Sequence, residues 1–186
     1  MSSLLISDIV DEYTLLQNTD KQNEYLQSVI QKIQNILSNG KKTAKLDCIQ
    51  QLFFLNLIGL DTSWAHFYVL EVMASSDFSS KYISYLASSL MWNSISDAAL
   101  MATNRITKDL TSGKPLITSL VLSSVPSYLS PTLSQLISND VIKLMQSSTP
   151  VLQQKAITTF YHICLHYPDA LRAGFPNLRA CLDDQK

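Results

Sequence analysis

Three groups of residues have types and spacings that could do chemistry. His162 and His166 stand four apart, which on a helix aims both imidazoles the same way and supplies two corners of a zinc site. Only Cys164 and Asp169 lie nearby; Cys164 is two residues from His162 and points to another face, and no glutamate completes a metalloprotease pattern. Ser63 with His66, or Cys48 with any histidine, pairs a nucleophile type with a base type, yet neither resembles a strained nucleophile turn or an oxyanion nest. A helix cap is the simpler role for Ser63. The four glycines, Gly40, Gly59, Gly113 and Gly174, are isolated from one another, so no Gly-rich loop cradles a phosphate. These residues predict no enzyme, no metal site and no cofactor. The third group is Lys41, Lys42 and Lys45, a compact basic cluster at the start of a helical segment. Lysines there oppose the helix dipole, which points to a use beyond local stability, and contact with anionic lipid is the candidate.

Composition narrows what must position these groups. In 186 residues the chain is 46% hydrophobic but only 16% charged, with a net charge of −1, against roughly 25% charge in ordinary soluble domains. Phosphate backbones need a clustered basic surface, so a nucleic-acid partner is not expected. Cys48, Cys164 and Cys181 are an odd set at unpatterned spacing inside apolar helical stretches, consistent with thiols in a reducing cytosol. The segment Met1 to Asp8 lacks a basic leader, and the longest later apolar run, Leu52 to Leu60, is too short to span a bilayer. Any membrane association is expected to be peripheral.

The pattern along the chain is helical throughout, with no convincing period-two alternation. Leu26, Val29, Ile30, Ile33 and Leu37 form one stripe at three-and-four spacing, and Leu46, Ile49, Phe53 and Leu57 form the next. Gly59 is placed to end that helix in a left-handed conformation, and Asp61 or Thr62 to cap the one that follows. From Trp64 to Ala74 only His66 and Glu71 are strongly polar, so this helix is expected to be covered on more than one side. Further helices are predicted at 79–92, 97–111, 115–128, 132–146 and 150–167, with all glycines at breaks, a kink or early end at Pro126 and an interruption at Asn139-Asp140. Ile83, Ala87 and Met91 recur as Ile117, Val121 and Val125, and again as Leu152, Ala156 and Phe160. Repetition at 34 and then 35 residues marks stacked helical hairpins, about four of them, with Pro115 and Pro150 opening second helices in the manner of HEAT repeats.

Within this pattern, Gly59-Leu60-Asp61-Thr62-Ser63-Trp64-Ala65, Glu71-Val72-Met73, Tyr85-Leu86-Ala87, Thr103-Asn104, Lys108-Asp109-Leu110, Lys155-Ala156, Tyr167-Pro168-Asp169-Ala170-Leu171-Arg172 and Phe175-Pro176-Asn177-Leu178 stand in a characteristic order. On these residues the chain resembles the N-terminal trunk of the adaptin large subunits, closest to the delta type of the third adaptor complex. The resemblance implies an all-α, HEAT-like or armadillo-like solenoid over residues 21–186, cut before the rest of the trunk, preceded by an N-terminal arm at 1–20 with a short first helix. It also implies partners, namely a sigma-type small adaptor subunit, a beta-type large subunit and an Arf-family GTPase. The work implied is non-enzymatic: vesicle-mediated protein transport from Golgi or endosomes to lysosome-like or vacuolar compartments, from a cytoplasmic position peripheral on those membranes. The alternative is a free-standing helical-repeat scaffold derived from an adaptin. Several usual basic residues are missing: Tyr13 and Leu16 stand in place of an arginine pair, Tyr82 in place of an arginine, and Gln153 and Gln154 in place of a basic pair beside Lys155. Each lost charge is expected to weaken contact with an anionic bilayer by roughly 1 kcal/mol.

Overall fold

The computed structural model describes residues 6–16 and 18–183; Met1 to Leu5 of the N-terminal arm and the last three residues lie outside them. Eleven α-helices follow one another among the described residues, with no strand between them. They are α1 (Ile6–Leu15), α2 (Thr19–Asn39), α3 (Lys42–Leu57), α4 (His66–Met73), α5 (Phe78–Met91), α6 (Asp97–Met101), α7 (Thr103–Leu110), α8 (Pro115–Ser124), α9 (Pro131–Leu144), α10 (Pro150–His166) and α11 (Ala170–Asp183). None is long and apolar enough to cross a membrane.

Local chemistry sets the boundaries. The Asn18 side chain accepts the Asp20 N–H at 2.9 Å, Asp77 accepts the Ser80 N–H at 2.9 Å and Ser130 accepts the Leu133 N–H at 3.1 Å, each satisfying a donor that a helix start leaves free. Proline opens α8, α9 and α10, where its missing N–H costs nothing. Gly59 adopts φ 91°, ending the passage out of α3 as its sequence position predicts. Pro126 also acts as expected: α8 stops at Ser124 and tightens into a 3-10 turn over Val125–Tyr128.

The hairpins α2/α3, α4/α5, α7/α8 and α9/α10 stack into two layers. One layer holds α3, α5, α8 and α10 in that order, each packed on the next; α4, α7, α9 and α11 lie across them. The repeated triplets are the seam, since Ala87, Met91, Ile117, Val121, Val125, Leu152, Ala156 and Phe160 are all buried and Ile83 is half-buried. This is an α-solenoid, as the 34- and 35-residue recurrences require.

Four local expectations need correction. The segment predicted as one helix at 97–111 is two, α6 and α7, parted at Ala102 beside the Thr103 hydroxyl, which donates to the Leu100 carbonyl at 2.6 Å. Conversely α9 runs uninterrupted through Asn139 and Asp140, where Asp140 pairs with Lys143 one turn on. In α3 the buried line passes through Cys48, Ile49, Leu52 and Leu55, leaving Leu57 58% exposed. The helix after Gly59 is covered on more than one side as expected, since α4 packs on both α3 and α5 with Val69, Val72 and Met73 buried, while Phe67 stays 52% exposed and Trp64 half-buried. Gly174 lies inside α11 rather than at a break, and a Cβ there would meet the Phe160 ring at 2.2 Å, so glycine permits the close approach of α11 to α10.

Candidate protein-docking face

The structure brings none of the sequence-level nucleophiles to a base. The Ser63 N–H donates to Asp61 Oδ1 at 2.9 Å, which makes Asp61 the cap and Ser63 the capped residue. His66 turns instead toward the start of α6, its Nδ1 3.2 Å from Ser96 Oγ, and burial pushes its imidazole pKa below the usual value. Cys48 is buried and its thiol is pushed up to about 11 by desolvation, so it stays protonated at neutral pH. His162 is half-buried and His166 exposed, and among the described residues no three histidine, cysteine or acidic side chains gather as a metal site would need.

The lysine cluster splits. Lys42 is paired with Asp77, the capping residue of α5, and Lys45 with Glu71 of α4 at 2.8 Å. These bonds tie the start of α3 to the α4/α5 hairpin, and the Lys42 ammonium holds the Asp77 carboxyl well below the usual carboxylate range. Lys41 remains as an exposed cation at the N-cap of α3.

What periodicity alone did not reveal is an absence of charge. Across α5, α8 and α10 the only Lys, Arg, Asp or Glu residues are Lys81 and Lys155, and Lys81 is buried against Asp109 of α7 at 2.5 Å. The outward ridge of α5 is Phe78, Tyr82, Leu86 and Leu90, spaced four apart and all exposed. Beside it α8 presents Leu116, 70% exposed, with Ser119, Leu120 and Ser123; next, α10 presents Val151, Gln154, Thr158, Tyr161 and Leu165. Helical geometry places each set opposite the buried side of its helix. Three neighbouring helices thus expose a nearly uncharged, apolar and hydroxyl-bearing face. Depletion of charge with enrichment of aromatic and aliphatic side chains is the composition found at the core of protein interfaces. The signal was present in the sequence as three nearly charge-free helical segments, but only their stacking shows that they form one surface.

A two-layered stack of helical hairpins with one charge-depleted side defines a helical-repeat solenoid protein. The chain belongs to the adaptin N-terminal region family, whose model matches residues 25–186, and members of that family are structural coat components, not enzymes. It is 34% identical over 161 residues to the AP-3 complex subunit delta-1 of Bos taurus, covering 87% of this chain and 13% of that protein. It is likewise 34% identical over 177 residues to the AP-3 complex subunit delta of Dictyostelium discoideum, covering 95% of this chain and 15% of that one. Among structures, a homology model of the full-length AP-3 complex in an intermediate open conformation aligns with TM-score 0.69 and 32% identity over 78% of this chain and 26% of the matched chain. The chain therefore spans only a small part of the length of the curated relatives it matches.

Proposed function

We propose that this chain is a non-enzymatic part of a vesicle-coat adaptor complex of the AP-3 type and holds a sigma-type small subunit on its α5–α8–α10 face. In the assembled coat it pairs with a beta-type large subunit and is recruited by an Arf-family GTPase. The process served is vesicle-mediated protein transport from Golgi or endosomes to lysosome-like or vacuolar compartments, and the place is cytoplasmic and peripheral on those membranes. The observation that carries this reading is the charge-depleted face itself, with Phe78, Tyr82, Leu86, Leu116, Tyr161 and Leu165 open to solvent. An apolar face without lysine fits a folded protein partner better than a bilayer, whose anionic headgroups call for several cations. Lipid contact at Lys41, Lys42 and Lys45 is the weaker reading, because Asp77 and Glu71 already compensate two of those three charges.

The test is co-expression of the chain with the sigma subunit of an AP-3 complex. Co-purification at equal stoichiometry is expected, and a Leu86→Asp, Tyr161→Asp double variant should lose the partner while keeping its helical circular dichroism. Failure of the unaltered chain to retain the sigma subunit, or retention by the double variant, would overturn the assignment.

A further inference from the structure

The docking face carries a single accessible cation, and its surroundings are unlike those of the other paired lysines. Lys42, Lys45, Lys81 and Lys143 each meet a carboxylate. Lys155, half-buried between α8 and α10, instead donates to Ser123 Oγ at 2.6 Å, Ser119 Oγ at 2.8 Å and the Ser119 carbonyl at 3.4 Å. All three acceptors are neutral. Ser123 gives its own proton to the Ser119 carbonyl at 2.9 Å, so its lone pairs are what face the ammonium. The last of the three lysine contacts is long, which leaves one N–H poorly used and able to turn outward.

We propose that the partner of the α5–α8–α10 face presents a carboxylate to Lys155, making this lysine the specificity-determining residue of the surface. The inference rests on the docking reading above and adds the chemistry that the partner must bring. Covering the face removes the water that now solvates the ammonium, and two hydroxyls do not replace it. A partner with only apolar groups at that point would bury an uncompensated charge; one with an aspartate or glutamate there gains a desolvated, hydrogen-bonded ion pair. The serines act as positioning residues, fixing the ammonium at the α8/α10 groove. Lys155 therefore selects among apolar partners by charge, while the ridge of α5 and the side chains of α10 supply the buried area.

The experiment measures affinity for the AP-3 sigma subunit with three variants. Lys155→Met keeps the length of the stem and removes the charge, and should weaken binding at least tenfold and flatten its salt dependence. Lys155→Arg should stay within about threefold of the unaltered chain, since the guanidinium still pairs with a carboxylate. Lys155→Glu should abolish binding, and changing the opposing acidic residue of the partner to lysine should restore it. Equal affinity and equal salt dependence for the unaltered chain and Lys155→Met would overturn the lysine assignment while leaving docking intact. If Leu86→Asp, Tyr161→Asp also binds normally, the docking reading itself fails. Liposome binding lost in Lys155→Met with sigma binding unchanged would assign the cation to a lipid headgroup instead and overturn the proposal.

Discussion

At the scale of single residues, the most consequential group is the buried cluster around Asp109. Its Oδ2 stands 2.5 Å from Lys81 Nζ and 3.4 Å from Arg105 Nε, and accepts the Tyr85 hydroxyl at 3.0 Å. Arg105 also donates to the Ser75 carbonyl at 2.9 Å, so one carboxylate links α5, α7 and the α4/α5 turn. Asp109→Asn leaves two cations facing each other without a counter-charge and should cost about 3–5 kcal/mol in urea denaturation. Replacing the pair together, as Lys81→Met with Asp109→Leu, should recover much of that loss. The same burial makes the protein sensitive to alkali. Desolvation raises the phenol pKa of both Tyr85 and Tyr128 above the ordinary value of 10.0. A folded-state pKa above the unfolded one means that this contribution is complete below pH 10 and lost as pH rises beyond it. Each phenol then costs about 1.4 kcal/mol per pH unit. The tyrosinate absorbance that disappears in Tyr85→Phe and Tyr128→Phe variants should therefore be the part that rises together with loss of helical circular dichroism, and ionisation of these two phenols in a folded chain would contradict their burial. Tyr85 and Asp109 were visible in the sequence as members of two separate family motifs. That they touch was not, because nothing local links positions 24 residues apart.

Elements show where local rules suffice. Caps, N-terminal prolines, the left-handed Gly59 and the Pro126 stop all follow from backbone chemistry within one turn, and they were readable in advance. α11 differs. Its contact side is made of small or polar residues, with Ala170 and Gly174 buried, Asn177 donating to the Ile142 carbonyl at 3.3 Å and Cys181 lying 3.2 Å from the Met145 carbonyl. Its larger side chains, Leu171, Phe175 and Leu182, point away from the array. Hydrophobicity alone therefore points to the wrong side of this helix, and an isolated glycine reads as a break where the structure uses it for close packing. Gly174→Ala should displace α11 or the Phe160 ring, costing about 1–3 kcal/mol and speeding amide exchange in α11 over that in α9. Unchanged exchange would mean that Phe160 yields without cost. Shortening the ring with Phe160→Leu in the same chain should relieve part of the defect.

For the whole molecule, what matters is which helices stand side by side. The four hairpins put α5, α8 and α10 in one row, and this adjacency turns three unremarkable stretches of low charge into one face. Because the side chains on that face contribute little to the core, substitutions such as Leu86→Asp and Tyr161→Asp are expected to change stability by no more than about 0.5 kcal/mol each. A thermal melt near that of the unaltered chain, combined with loss of the sigma subunit, separates a docking role from a folding role. A large drop in melting temperature would place these residues in the core.

By itself the sequence determined the helical class, the number of hairpins, their repeat length and the family, because periodicity, caps and proline placement act within a few residues. Only the tertiary structure decided which charges remain available. It neutralised Lys42 and Lys45 through carboxylates 35 and 26 residues away and buried Lys81 against Asp109. It left Lys155 as the one cation in an uncharged field. Such pairings join residues that are distant in the chain, so stacking and not local pattern determines where a partner's charge is wanted.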